Sequence, residues 1–172
     1  VEEVASAVAD HLRLLQPQVV LTHGPYGEYG HPDHAAVHRA TVAAYELLPA
    51  ESRPSKLYFY TLGRTGMRWL VRVMPIVGVD PRPAGANRDV NLRDALDKQL
   101  PVTTRIDTSS AQPAKRRALA CHASQQAGPE SFWGALPRWV VRRWQGTEVY
   151  HRAVPLFQPG EALERDLFSG VE

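Results

Sequence analysis

Cysteine is almost absent from this chain of 172 residues, which contains only Cys121. A single cysteine cannot form a disulfide within the chain, and it cannot supply the several thiolates of a structural zinc site. Any metal site must therefore use nitrogen and oxygen ligands, which histidine, aspartate and glutamate side chains provide.

Long apolar runs and a strong charge of either sign are also missing. No stretch approaches the roughly 20 apolar residues that span a bilayer, and residues 1–10 carry two glutamates without a basic patch, so no signal peptide is indicated. We therefore expect a cytoplasmic protein with no membrane partner. The net charge of +2 is small and the basic residues are scattered, which does not favour nucleic acid binding.

Residues 133–144 interleave aromatic and basic side chains, among them Trp139, Arg142 and Trp144. Such a stretch could stack on nucleic acid bases, but a helix that buries its tryptophans and leaves its arginines in solvent explains it more simply. It could also cover a site as a lid or form a subunit contact, since Trp and Arg are enriched at interfaces. We expect no nucleic acid partner and leave a homo-oligomer open.

The length is that of one globular domain. We expect this domain to occupy residues 1–154, followed by a tail over residues 155–172 with a short terminal helix. The sequence begins at Val1 without an initiator Met, and its first predicted element is a helix already under way. We therefore expect a fragment of a longer protein, with an amino-terminal segment or chain needed to complete the site.

Helical and strand patterns alternate along the chain. The first helix, residues 1–15, has an apolar face of Val1, Val4, Val8, Leu12 and Leu15. Further strands are predicted over residues 19–22, 57–62, 102–107 and 148–154, a loop over 81–87, and helices over 32–48, 67–74, 90–100 and 114–126.

The fold class that this alternation predicts is α/β, with a Rossmann-like, mostly parallel sheet and helices on both faces. The apolar run over residues 19–21 is typical of a strand buried on both faces. The predicted helix that follows it buries a face made of Val37, Thr41, Ala44, Tyr45 and Leu48, and the helix over residues 114–126 turns Ala118 and Leu119 inward. In such folds the loops at the carboxyl ends of strands usually carry the site.

Four of the seven histidines lie within sixteen positions around a glycine-rich loop at the end of the first predicted strand: His23, His31, His34 and His38. The last three follow helical spacing. Seven residues of helix advance roughly 10 Å, whereas each ligand lies about 2 Å from a zinc ion. At most two histidines of this stripe can therefore share one metal.

Two imidazoles and a carboxylate crowd the start of one helix in the string His31-Pro32-Asp33-His34. Asp33 is close enough in sequence to hold the tautomer of a proton-transferring His31, and His34 could be a neutral metal ligand. The alternative is structural: His31 caps the helix, Asp33 is a first-turn acid, and His34 is a surface residue.

Two motifs resemble the LmbE-like, or PIG-L-type, zinc-dependent de-N-acetylases. The first is Tyr29-Gly30-His31-Pro32-Asp33-His34 after a Pro-x-Val-Val-Leu-Thr strand. The second is a later helix that runs from Lys115 through Ala118, Leu119 and His122 to Ser124 and Gln125. The pair is more specific than His-Pro-Asp-His alone.

The resemblance implies an enzyme that uses zinc, or another divalent metal, to hydrolyse an N-acetyl group of a small glucosamine-containing substrate. It implies that His34 is a metal ligand and that His31 protonates the leaving amine or stabilises the oxyanion. Asp33 would orient His31, and Tyr29 and His122 would contact substrate.

One part of the family pattern is missing from this sequence. In the family a His-Pro-Asp-Asp motif supplies further zinc ligands and a general base, and no such string occurs here. One imidazole cannot hold catalytic zinc, which takes about three protein ligands. The sequence therefore leaves three hypotheses: part of a de-N-acetylase, an amidase acting on thiol conjugates of glucosamine, or a non-catalytic α/β module that interacts with or regulates a partner.

Overall fold

The computed structural model describes residues 1–77, 80, 92–122 and 146–171 of the chain. In chain order the elements are α1 (Glu2–Leu15), β1 (Val19–Thr22), the single turn α2 (Gly27–Gly30), α3 (Pro32–Glu46), β2 (Lys56–Tyr60), α4 (Arg64–Val73), α5 (Leu92–Asp97), β3 (Thr104–Asp107), α6 (Gln112–Ala120) and β4 (Thr147–Val154). Helices and strands alternate, so the expected α/β class is confirmed. The predicted loop over residues 81–87 lies outside the described residues.

The four strands form one mixed sheet in the order β1-β2-β4-β3. β1 and β2 run parallel, while β4 runs antiparallel to both β2 and β3. The sheet is thus less parallel than the alternation predicts. The alternation of helices and strands indicates crossover connections. It does not show the direction of β4, the last strand, which lies between β2 and β3 in the sheet.

The first strand lies at the edge of this sheet, and only one of its faces is well covered. Val20 packs against the helices, and the Thr22 hydroxyl donates to the Thr41 hydroxyl of α3 over 3.1 Å. Leu21 points the other way and is 47% exposed. The prediction that this strand is buried on both faces is therefore wrong, because a run of three apolar residues does not show whether both faces are covered.

α1 and α3 pack together over this face through small side chains. Ala9 and Ala44 are fully buried, with Leu12 and Leu48 beside them. The predicted helix boundaries of α1 are confirmed within a residue. Its predicted apolar face is partly wrong, since the buried stripe is Ala5, Ala9 and Leu12, which lets the two helices approach closely.

Four apolar residues that the periodicity predicted as inward are instead exposed. Val1, the N-cap of α1, is exposed together with Val4 and Leu15 of that helix, and Val37 on α3 is 44% exposed. The rest of the predicted face is buried as expected: Thr41, Ala44 and Tyr45 on α3, and Leu48 just after it. The periodicity located the helices correctly, but alanine rather than valine fills the closest part of their contact.

The tail packs against the opposite face of the sheet through Glu164. Its carboxylate accepts hydrogen bonds from Lys56 Nζ (2.7 Å), Arg152 Nη1 (2.7 Å), Tyr58 Oη (2.8 Å) and Thr104 Oγ1 (2.8 Å). Burial alone would raise the pKa of Glu164, but these bonds outweigh it and lower its pKa to about 2. Residues 155–171 contain turns and a bridge at Glu164 but no helix, so the predicted terminal helix is wrong.

α6 lies on the surface, and none of its residues is buried. Leu119 is 60% exposed, so the prediction that Ala118 and Leu119 face inward is wrong. Two adjacent apolar residues do not form a stripe at helical spacing, and the helix is instead tied to β4 by Lys115 Nζ and Glu148 Oε1 at 2.7 Å. Over the described ranges, no helix combines the length and apolar character needed to cross a bilayer.

Candidate functional site

The segment we call the histidine loop, residues 23–31, leaves the carboxyl end of β1 and is shaped by glycines. A Cβ on Gly24 would lie 2.9 Å from the main-chain oxygen of Tyr60, so only glycine allows the chain to pass so close to β2. Gly27 has a φ of +67°, and a Cβ there would lie 3.0 Å from the Cβ of His34. The loop is therefore folded tightly onto the first turn of α3.

The start of α3 follows from the local sequence. Pro32 occupies the first turn, where its missing N–H costs nothing. His31 is the N-cap, and its Nδ1 accepts the main-chain N–H of Asp33 over 3.2 Å. The structural alternative is thus confirmed for His31, which caps the helix. Its other ring nitrogen, Nε2, is not used by this cap.

The side chain of Asp33 extends into solvent and is 86% exposed. Its Oδ2 lies 4.0 Å from His31 Nδ1, beyond hydrogen-bond distance. The main chain of Asp33, rather than its carboxylate, therefore orients the His31 ring in this structure.

A group that we call the carboxylate cluster consists of His23, Glu28 and His34. Glu28 Oε2 lies 2.8 Å from His23 Nδ1 and 2.9 Å from His34 Nδ1. The two imidazole rings stack with centroids 4.0 Å apart and planes inclined by 12°. Glu28 is only 4% exposed, whereas the histidines are about a third exposed, at 36% and 28%.

This arrangement fixes the tautomers of both rings. An ionised carboxylate only accepts hydrogen bonds, so each Nδ1 carries the hydrogen and each neutral ring keeps a lone pair on Nε2. Among the described residues, no hydrogen bond engages Nε2 of His34. The partly exposed His34 is therefore prepared to donate this lone pair to a cation.

The cluster also has the composition of a metal site. His23, Glu28 and His34 each offer a ligand atom, and these atoms lie within 4.8 Å of one another. His34 is the member of the predicted histidine stripe that belongs to this group. Neutral imidazole and carboxylate are common ligands of zinc and of other divalent metals.

His38 has a packing role one turn further along α3. Its Nδ1 donates to the main-chain oxygen of His23 over 2.8 Å, and its ring meets Phe59 edge-on at 4.6 Å. Burial lowers the pKa of His38, which favours the neutral ring. His38 therefore fixes the end of β1 and, through it, the position of His23.

Tyr29 stands beside two of the predicted site histidines. Its ring centroid lies 6.0 Å from that of His31 and 5.3 Å from that of His34, both in edge-on contact. The rings of His31 and His34 are 4.8 Å apart. The structure thus brings three of the five predicted site residues into one group.

His122 is placed apart from this group. It is exposed, and it follows the end of α6, where its N–H donates to the Leu119 oxygen over 2.9 Å. Among the described residues, it makes no contact with the carboxylate cluster. Ser124 and Gln125 of the same motif, and the Trp/Arg stretch at 133–144, lie outside the described residues.

Sequence reasoning missed Glu28 as a functional candidate and gave His23 little weight. Glu28 lies in the glycine-rich loop, where an acidic side chain argues against phosphate binding. The same carboxylate stands six residues before His34, which makes it a possible partner of that histidine. The signal available in the sequence was an acid between two glycines, Gly27 and Gly30, directly before His-Pro-Asp-His. The left-handed turn that points Glu28 inward cannot be read from residue type.

Comparisons with known proteins agree with the family resemblance of the sequence. Residues 1–45 match the family model described as PIG-L, GlcNAc-PI de-N-acetylase. A 1D-myo-inositol 2-acetamido-2-deoxy-alpha-D-glucopyranoside deacetylase from Thermomonospora curvata is 38% identical over 184 residues, covering 99% of this chain and 60% of that protein. Proteins of the same name from Rhodococcus erythropolis and Salinispora arenicola are 33% and 30% identical, again over 99% of this chain, covering 60% and 56% of their lengths.

Fold and site together define an α/β protein with a histidine and carboxylate cluster of metal-binding type at the carboxyl end of a strand. Within that class, the family match and the named relatives support the LmbE-like, or PIG-L-type, de-N-acetylase family for this chain. The chain spans a little over half the length of the curated relatives it matches.

Proposed function

We propose that this chain carries part of the active site of a zinc-dependent hydrolase that removes an N-acetyl group from a glucosamine-containing substrate. The main support is the state of His34, whose Nδ1 is bonded to buried Glu28 while its Nε2 makes no hydrogen bond to the described residues. A ligand histidine in proteins typically has this arrangement, with a carboxylate on the nitrogen opposite the metal.

The residues present fit a zinc ion. His34 would hold it through Nε2, and because catalytic zinc takes about three protein ligands, other donors must join His34. When bound, zinc supplies the Lewis acidity that polarises the amide carbonyl and activates water for attack. Another divalent metal could fill the same role, because nitrogen and oxygen ligands do not select zinc alone.

His31 is suited to deliver a proton. Since its Nδ1 accepts the N–H of Asp33, the hydrogen of the neutral ring is on Nε2. Cleavage of the amide bond leaves an amine nitrogen that must gain a proton. His31 would donate its Nε2 proton from the imidazolium form, after the ring has taken up a proton from solvent, and would return to the neutral ring. A general acid of this kind contributes roughly 10²- to 10⁴-fold to the rate.

Tyr29 and Asp33 would act beside His31. The Tyr29 ring makes T-shaped contacts with both His31 and His34, and its hydroxyl is proposed to contact the reacting amide. Asp33 is proposed to support the charged form of His31 from 4.0 Å, as a weak partner through solvent. His122 remains proposed as a substrate contact, supported by its motif alone.

The substrate class is supported by the relatives, whose names describe deacetylation of an N-acetylglucosamine joined to myo-inositol. We propose a small N-acetylated amino sugar of this kind for this protein. A thiol conjugate of glucosamine would present the same amide to the same residues, so it serves as the comparison substrate.

The test is acetate release by the protein at its full natural length. N-acetylglucosaminyl inositol should yield stoichiometric acetate and free amine, a chelator should abolish the release, and added Zn²⁺ should restore it. No acetate from the sugar or from its thiol conjugate, with zinc bound, would overturn the proposal and favour a non-catalytic module.

A further inference from the structure

Glu28 is the most constrained residue of the site, although the motif of the family resemblance, which begins at Tyr29, does not include it. Its side chain is 4% exposed and makes three hydrogen bonds. Oε2 accepts from His23 Nδ1 and His34 Nδ1, and Oε1 accepts the Gly24 N–H over 3.0 Å. Both oxygens are therefore committed to the loop and to its two histidines.

The backbone of Glu28 is strained in the direction that this role requires. Glu28 has φ 57° and ψ −73°, a conformation that residues with a side chain rarely adopt. Such a backbone conformation costs on the order of 1–3 kcal/mol of folding free energy, and it persists only where the surrounding structure imposes it. Here the strain turns the carboxylate away from solvent and toward the two imidazoles.

Gln99 holds this strained backbone in place from another part of the fold. Its Nε2 donates to the Glu28 main-chain oxygen over 2.5 Å, and the side chain is 7% exposed. The Gln99 Oε1 in turn accepts from the Thr61 hydroxyl and the Leu62 N–H. Residues after β2 and α5 are thus fixed against the histidine loop through one buried amide.

We propose that Glu28 is a positioning residue for His34, which keeps the hydrogen on Nδ1 so that Nε2 offers its lone pair to the metal. This inference rests on the proposed function, in which His34 is a metal ligand. Glu28 itself stays outside the coordination sphere, because direct coordination through Oε2 would require the loss of its bonds to both imidazoles. Gln99 supports the same geometry by holding the Glu28 backbone.

The proposal has a measurable consequence for metal affinity. Carboxylates that bond a ligand histidine raise its basicity and fix its orientation, and their loss typically costs 10- to 100-fold in metal affinity. Glu28→Gln should weaken zinc binding by this factor. Glu28→Asp should also weaken it, although the charge is kept, because the shorter side chain cannot reach both rings.

The experiment compares these variants with a matched control in the protein at its full natural length. Glu46→Gln removes one acidic charge from an exposed position at the end of α3. Zinc dissociation constants are measured by chelator competition, and the visible absorption of the Co²⁺-substituted protein reports the ligand set. Parent and control should bind alike, and both Glu28 variants should bind more weakly with an unchanged Co²⁺ band shape.

Three results would overturn the inference. Zinc affinity of Glu28→Gln within threefold of the parent would deny Glu28 any role, and an altered Co²⁺ spectrum would make it a direct ligand. The third needs no variant: ¹⁵N shifts of metal-free parent protein should show His34 with hydrogen on Nδ1, and hydrogen on Nε2 would contradict the proposal. If the parent binds zinc through His34 but Glu28 proves irrelevant, only this inference fails, whereas a parent without zinc refutes the proposed function.

Discussion

His31 and His34 lie one helical turn apart, yet their environments differ at Nδ1. The Nδ1 of His31 accepts a main-chain N–H, whereas the Nδ1 of His34 donates to a buried carboxylate. A neutral ring that accepts at Nδ1 carries its hydrogen on Nε2, whereas a ring that donates from Nδ1 keeps a lone pair on Nε2 for a metal. The different roles that we propose for the two histidines therefore follow from their hydrogen-bond partners rather than from residue type.

Asp33→Asn should have only a small effect on turnover. The substitution keeps the main-chain N–H that orients His31 and removes a carboxylate that is 86% exposed and too distant for a hydrogen bond. Exposed pairs of this kind are worth about 0.2–1 kcal/mol, so kcat/KM should fall by no more than about fivefold. A fall of about 100-fold in steady-state assays would mean that the carboxylate itself orients or charges His31 during the reaction.

Gly27→Ala should destabilise the protein more than Gly160→Ala. Both glycines have positive φ, +67° and +94°, but only Gly27 has neighbours that a Cβ would strike, at 3.0 Å. We expect Gly160→Ala to cost about 1 kcal/mol and Gly27→Ala at least about 1 kcal/mol more. Equal midpoints of urea unfolding for the two variants would show that the loop is not packed against His34 as described.

At the scale of elements, the sequence predicts where helices and strands begin and end better than it predicts which segments pack together. Strands β1, β2 and β4 and helices α1 and α3 begin and end close to their predicted residues, because apolar spacing, Pro32 and the flanking glycines mark them. The tail over residues 155–171 is different. The tail is held to the sheet by Glu164. Nothing in the sequence around Glu164 indicates that its carboxylate will bond Lys56 and Arg152.

Glu164 should make the free energy of unfolding depend on pH in the acidic range. Its pKa is lowered from 4.5 to about 2 in the folded protein, so its stabilising contribution is complete above pH 4.5 and is lost as the pH falls toward 2. Glu164→Gln should cost about 3 kcal/mol at neutral pH, because Lys56 and Arg152 lose a buried partner.

Urea unfolding of parent and variant between pH 7 and pH 2.5 tests this expectation. The difference in free energy of unfolding between them should shrink steadily below pH 4.5. Glu161→Gln is the control, since Glu161 is 35% exposed and bonds Arg152 alone among the basic residues of this group, and it should cost less. A difference that stays constant down to pH 2.5 would contradict the account of the Glu164 network.

At the scale of the whole molecule, the fold class and part of the site could be predicted from the sequence. His31-Pro32-Asp33-His34 after an apolar strand placed three of the predicted side chains at one helix start, and the resemblance gave them roles. Glu28 and His23 complete the cluster only through a strained turn, a buried amide at Gln99 and the packing of His38. Contacts between distant segments of this kind leave no periodic trace in the sequence.

The central claim is that His34 binds the metal while His31 supplies a proton, and one measurement tests it directly. Zinc content and turnover are determined side by side for His34→Ala and His31→Ala in the protein at its full natural length. The account predicts that His34→Ala loses zinc, whereas His31→Ala retains it and loses roughly 100-fold or more in kcat. Equal zinc retention in the two variants would contradict the claim.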